Sequence, residues 1–160
     1  MNNLMYEKSK MYYEKYKLGK FTKKVSSIIK DGNRYLTLIN NQGKAIFVGG
    51  SVDDGETTKQ AIVREIMEEI GAKVSKLKYL SKIYYSVDWE FEGVKFPNRR
   101  VEYIYLCEII KDNIGVKGLQ GEFDNNTTYK WCSIEELENY NLDKNILDLV
   151  KKIDKENIEI

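Results

Sequence analysis

The sequence predicts an α/β fold with a mixed β-sheet covered on both faces by helices. Two observations carry this. Strand-like and helix-like segments alternate along the chain instead of forming separate blocks. Most strand-like runs also alternate apolar and polar residues, whereas Val101–Ile110 (VEYIYLCEII) becomes solidly apolar, as a central strand would. At 160 residues, 42% of them apolar, one domain is expected, with a core large enough to hold without disulfides.

Residues 4–18 mix strong helix formers with tyrosines, and Leu4, Met5, Met11, Tyr12 and Tyr16 form a loose apolar stripe. The irregular period leaves a helix or a peripheral strand-plus-turn open, ending at Gly19. Val25–Ile29 and Arg34–Leu38 read as strands around the turn residues Asp31-Gly32-Asn33. After a second turn at 40–43, Ala45–Val48 is a short strand running into Gly49-Gly50. Helix signals begin at Thr57 or Thr58 and end at Ile70, with Gly71 placed to terminate them. Val74–Ser86 suggests one or two strands. Asp88–Arg100, with Gly93 and the only proline, Pro97, reads as a polar loop. Residues 112–127 read as a loop and Thr128–Cys132 as a strand. Ser133 with Glu136 resembles a capping box for a short helix. Leu142–Asp154 is the last helix, with Ile146, Leu149, Val150 and Ile153 on one face.

The net charge of +1 implies neither a nucleic-acid nor a membrane partner by itself. Its distribution is uneven. Residues 1–24 carry seven lysines against Glu7 and Glu14, a local +5, so the rest of the chain is acidic. That excess suits a body that binds cations. Cys107 and Cys132 read as buried free thiols. No signal-peptide pattern opens the chain, and no apolar run approaches the ~18 residues of a membrane span, so a soluble cytoplasmic protein with no membrane partner is expected.

The densest chemistry lies in residues 50–72, GSVDDGETTKQAIVREIMEEIGA. Glu65 shares a helix face with Glu68 and Glu69, Glu56 comes from the loop before the helix, and Arg64 lies among them. Ile62, Ile66 and Ile70, with Val63 and Met67 beside them, form an apolar stripe that fixes the helix on the sheet. Clustered carboxylates repel one another and call for cations. With no histidine in the chain, an all-oxygen site suits Mg²⁺ or Mn²⁺.

This stretch resembles the Nudix box: a glycine, a glutamate after five residues, and after seven more the run R-E-U-x-E-E-x-G-U, with U bulky and apolar. Gly50, Glu56, Arg64, Glu65, Ile66, Glu68, Glu69 and Gly71 match, and Ala72 is small for its slot. The resemblance covers roughly Lys24–Leu149. It implies an α/β/α sandwich, with residues 24–160 as the hydrolase domain and 1–23 as an extension. It also implies a hydrolase of diphosphate linkages in nucleoside diphosphate derivatives. In the family Glu65, Glu68 and Glu69 would be the central metal ligands, Glu56 would assist through water or by ordering the loop, and the Gly49 carbonyl could ligate a cation. Arg64 could orient a carboxylate. Relatives differ in whether the general base comes from the helix, here Glu65 or Glu68, or from a late loop, here Glu122 or Asp124. Glu122 also falls where many relatives carry a further metal-binding glutamate.

Glu102 and Glu108, on one face of the apolar strand, and Arg99 and Arg100 at its start are further candidates for site contact. Phe47, Tyr84, Tyr85, Trp89 and Phe96 are candidates to stack on a base. Subgroup marks are absent. Val87 stands where ADP-ribose hydrolases often have proline, and Asp88, Trp89 and Glu90 stand where dinucleoside polyphosphate enzymes often have tyrosine. A nucleoside triphosphate or nucleotide sugar is the favoured small-molecule substrate. The alternatives are an RNA 5′-end pyrophosphohydrolase, which the basic N-terminus would favour, and a non-catalytic nucleotide sensor, which commonly loses box glutamates. A homodimer would resemble many relatives.

Overall fold

In the computed structural model, which describes residues 3–116 and 126–160, a mixed sheet lies between two helical layers. Its elements are α1 (Asn3–Lys17), β1 (Thr22–Asp31), β2 (Arg34–Ile39), β3 (Ala45–Ile46), β4 (Gly49–Ser51) and α2 (Thr58–Ile70). They continue with β5 (Lys73–Phe91), β6 (Val94–Ile110), β7 (Thr128–Cys132), α3 (Ile134–Leu137) and α4 (Lys144–Glu156). The strand order is β3-β2-β1-β6-β5, with β4 pairing β1 and β7 pairing β2. Among the described residues only β1 and β6 pair in parallel; the other pairings are antiparallel.

Alternation along β1 and β6 builds both cores. Val25, Ile29, Tyr105 and Cys107 face α2, where Ile62, Ile66 and Ile70 are fully buried. Ile28, Ile104 and Leu106 face α4, meeting Ile146, Val150 and Ile153. Val63 and Met67, expected beside the α2 stripe, are instead 41% and 42% exposed, because the sheet contacts only the narrow i, i+4 row. Thr57 caps α2, with Gln60 completing a capping box, and Gly71 ends the helix at φ 68°. Ser133 and Glu136 do the same for α3. Asp143 caps α4, which therefore starts two residues later than its apolar pattern suggests. Both cysteines are free and buried. Among the described residues no helix is long and apolar enough to cross a membrane.

Three local expectations are corrected. The glycine pair is itself strand, since Gly49–Ser51 pairs with Lys24–Ser26 of β1. Residues 88–100 are no loop. β5 and β6 run on as one long hairpin to a two-residue turn at Glu92-Gly93, both at positive φ (49° and 78°). Pro97 is tolerated because β6 pairs with β1 only from Arg100 onward, so at Pro97 it has a single strand neighbour. The hairpin's polar look is deceptive, since Trp89, Phe91 and Phe96 are spaced to one face and covered by α1. Finally, α1 buries Ser9, Tyr12, Tyr13 and Tyr16 to different degrees, whereas Leu4, Met5 and Met11 of the expected stripe are exposed.

Ile66→Ala should lower unfolding free energy by about 2–5 kcal/mol, the usual range for a large-to-small change in a closed core. Met67→Ala, one position along, should cost under ~0.5 kcal/mol. Denaturant unfolding of both variants checks this; equal costs would contradict the α2 packing.

Candidate active site

The candidate site is built where β4 passes under α2. Because α2 is pinned by its isoleucine row, its acidic edge projects over the glycine strand. There is no room for a side chain at Gly49, where a Cβ would meet the β1 backbone at Val25 and Ser26, and at Gly50 a Cβ would displace the Glu65 carboxylate from its position over β4. Gly49 is required by this close approach, and Gly50 lets Glu65 lie against the strand; neither has a positive φ. The Gly49 N–H donates to Glu69 Oε2 at 3.3 Å.

Arg64 organises the remaining acids. Its Nε and Nη2 donate to the two oxygens of Glu56 at 2.7 and 2.9 Å. Its Nη2 also donates to the Ser51 carbonyl at 2.8 Å. Its Nη1 reaches Glu65 at 2.9 Å and Glu68 at 3.2 Å. Glu56 in turn accepts from the Asp53 N–H at 3.0 Å, so it is engaged in ordering the loop before α2. The guanidinium holds the Glu56 carboxyl down to about 2, with help from the Asp53 N–H. Glu69 moves the other way. Burial first, then repulsion from Glu65, pushes it up to about 8. Burial also raises Glu65. Glu68 is the most open of the α2 acids, at 57% side-chain exposure.

A cleft of about 360 Å³ opens beside β4. Its lining includes Lys24, Arg100 and Tyr85 from the sheet and Asn141 and Asp143 from the segment before α4. Glu102 lies in it and accepts from the Tyr85 hydroxyl at 3.1 Å. Lys24 donates to Ser51 Oγ at 3.1 Å. Burial, then the Arg100 and Lys8 charges, push its ammonium down to about 8. A larger hollow of about 590 Å³ lies along the Asp88–Pro97 hairpin and shares no residue with β4 or α2.

Of the sequence candidates, the structure gathers Gly49, Glu56, Arg64, Glu65, Glu68 and Glu69, and places Glu102, Arg100, Phe47 and Tyr85 at the adjoining cleft. Glu108 lies elsewhere, paired with Lys76 at 3.5 Å. Trp89 and Phe96 pack under α1, and Tyr84 is exposed. Glu122 and Asp124 lie outside the described residues. Lys24, Asn141 and Asp143 were missed. Only Asp143 carried a signal, as a capping residue directly before an apolar-periodic run.

Glu69 is favoured in its protonated form on folding, so its contribution is full below its ordinary value of 4.5 and is lost as pH rises from there through about 8. In metal-free buffer, the Tm advantage of Glu69→Gln over wild type should therefore grow from pH 5 to pH 9. An advantage that stays flat or shrinks would contradict the buried placement of this carboxylate.

The chain matches the NUDIX domain over residues 20–152. It is 32% identical over 107 residues to the nucleoside triphosphatase NudI of Klebsiella pneumoniae (strain 342), covering 62% of this chain and 69% of that protein. It is 41% identical over 90 residues to an ADP-ribose pyrophosphatase of Methanocaldococcus jannaschii, covering 54% of this chain and 50% of that one. A MutT NUDIX hydrolase from Burkholderia pseudomallei superposes with a TM-score of 0.59 over 82% of this chain and 97% of its own, at 19% identity, a likeness of fold. With the acidic helix, the glycine strand and the domain match coinciding on the same residues, this chain belongs to the Nudix (MutT-like) hydrolase family.

Proposed function

We propose that this protein is a Mg²⁺- or Mn²⁺-dependent pyrophosphohydrolase that cleaves the diphosphate linkage of a small nucleoside diphosphate derivative. A nucleoside triphosphate or a nucleotide sugar is the favoured substrate. The observation that carries this reading is the placement of Glu65 and Glu69 against Gly50 and Gly49, beside a cleft with Lys24 and Arg100 on its wall. A phosphate chain can lie against a backbone without side chains there, with acids on one side and cations on the other.

The residues fit a hard divalent cation. Every donor is oxygen, and a buried Glu69 beside Glu65 is costly without positive charge. Among the described residues no three acids already converge as a metal group; Arg64 Nη1 stands between Glu65 and Glu68. The Nε and Nη2 side of Arg64 keeps Glu56 and the Ser51 carbonyl, while the oxygens held by Nη1 are those a cation would take over. Glu65, Glu68 and Glu69 are then its ligands, with the Gly49 carbonyl and Glu122 as further donors, and Glu56 supports the loop. A bound cation neutralises charge on the phosphoryl oxygens and makes a water nucleophilic near neutral pH. That water attacks one phosphorus, the bridging P–O bond breaks, and the leaving phosphate departs with the bond's electron pair. A carboxylate takes the water's proton. Glu65, Glu68 and the late-loop Glu122 are the candidates, and the exposure of Glu68, the most open of the α2 acids, supports its access to water.

The relatives divide between a nucleoside triphosphatase and an ADP-ribose pyrophosphatase. The first supports the favoured substrate class. The second shares only half its length with this chain, and Val87 departs from the proline often seen in ADP-ribose hydrolases.

A product-resolved screen of nucleoside triphosphates, nucleotide sugars and ADP-ribose, with and without chelator, tests the proposal. Turnover should require Mg²⁺ or Mn²⁺, and Glu68→Gln should lower kcat at least ~100-fold while the fold is kept. Undiminished hydrolysis in chelator, or near-native turnover by Glu68→Gln, would overturn the mechanism.

A further inference from the structure

Among the described residues, five buried side-chain polar atoms have no hydrogen-bond partner, and four of them lie in one seam. They are Tyr12 Oη on α1 and Asn98 Nδ2, Arg99 Nε and Arg100 Nε on β6. The three nitrogens can only donate. Orphaned buried donors are rare in native proteins, and a group of them signals an acceptor that completes the site.

Arg100 is the member that faces the cleft. It is gripped from behind. Its Cζ lies 5.4 Å from the centre of the Tyr12 ring and 5.8 Å from that of Trp89. Those rings meet edge to face at 5.1 Å, and Trp89 Nε1 donates to Ser9 Oγ of α1 at 3.0 Å. Tyr12 is 1% exposed, so the grip is buried. A guanidinium held on aromatic faces turns its in-plane N–H groups to acceptors; Arg100 shares a hydrogen bond with the Tyr85 hydroxyl, and its orphaned Nε–H is left for a ligand. The acids of the cleft are engaged elsewhere: Glu102 accepts from Tyr85, and Asp143 caps the Ile146 N–H at 3.1 Å. Lys24 stands two residues along β1 from Thr22, the strand partner of Arg100, and is bonded to Ser51 next to Gly50. A diphosphate extending from the α2 acids past Gly50 would therefore meet Lys24 and then Arg100. The Lys8 charge on α1 also acts on Lys24.

We propose that the seam between α1 and β6 is a phosphate-binding subsite, with Arg100 as its anchor and Tyr12 and Trp89 as the residues that position it. The substrate site is then completed by α1, a helix that precedes the stretch matching the family. The ligand is the phosphate of the nucleotide farther from the α2 acids, so the subsite rests on the pyrophosphohydrolase reading for its substrate but not for its binding chemistry.

The test is calorimetric titration of the full chain with methylenediphosphonate, whose P–C–P bridge water does not cleave, with and without Mg²⁺. Arg100→Met should weaken binding at least ~10-fold, the scale of a lost charge-assisted hydrogen bond. Tyr12→Leu should weaken it several-fold, about 3 or more on the scale of a lost cation–π contact. Tyr12→Phe keeps the ring, deletes only the orphaned hydroxyl, and should weaken binding less than Tyr12→Leu does. Unchanged affinity in Arg100→Met overturns the proposal. So does equal weakening by Tyr12→Phe and Tyr12→Leu, because a ring clamp cannot depend on the hydroxyl. Should Tyr12→Leu melt early, Arg100→Met, which leaves the Tyr12–Trp89 packing in place, decides alone. Because the probe is not hydrolysed, an Arg100-dependent affinity in a protein that turns over nothing would sink the hydrolase reading and leave the subsite standing.

Discussion

The structure around the site depends on one side chain, Arg64, and on the number of acceptors it serves at once. Its three nitrogens bind Glu56, Glu65, Glu68 and the Ser51 carbonyl. No lysine offers this geometry, because an ammonium has three donors at one point and no rigid fork. The consequence reaches in two directions. Toward the chain's start, Glu56 and Ser51 tie β4 and the following loop to α2. Toward the helix's end, Glu65 and Glu68 keep a defined spacing despite their mutual repulsion. The helix can hold Arg64 in place only because Ile62, Ile66 and Ile70 lock its opposite side to the sheet. Packing on one face therefore permits an acidic edge on the other.

Where local rules and tertiary packing agree, the sequence was legible. The caps of α2 and α3, the central position of β6 and the two-layer cover of the sheet follow from capping residues and apolar period alone. So does the acidic edge, because i, i+3 and i, i+4 spacing fixes which carboxylates are neighbours. The hairpin at residues 88–100 was not legible for a specific reason. Its apolar residues alternate with Asp88, Glu90 and Lys95, and they gain their burial from α1, eighty residues away in sequence at the Trp89–Ser9 contact. Short-range patterns carry no record of that partner. The same contact explains why Tyr12 and Tyr16 of the expected α1 stripe face inward while Leu4, Met5 and Met11 stay outside, since tyrosines and Ser9 win when the opposing surface is aromatic. Glu56 was legible as a family position, and the structure adds what it touches.

The cleft joins two chemistries that the chain keeps apart in sequence. Acids come from residues 56–69, and cations from Lys24 on β1 and Arg100 on β6. The parallel pairing of β1 with β6 brings those cations side by side, and β4 binds the same β1 segment on its other edge. The glycine strand is thus the shared floor between the two sets of charges. A substrate with several phosphates and a bridging bond is the ligand that such a division suits.

The central claim is that the acids Arg64 arranges over β4 bind a divalent cation. Titration of metal-free protein with Mn²⁺, followed by electron paramagnetic resonance of the free ion, measures this without any substrate. Wild type should take up Mn²⁺, and Glu65→Gln and Glu69→Gln should each weaken that uptake by at least ~10-fold, as expected when a charged oxygen ligand is lost. Equal Mn²⁺ affinity in wild type and in both variants would contradict the account.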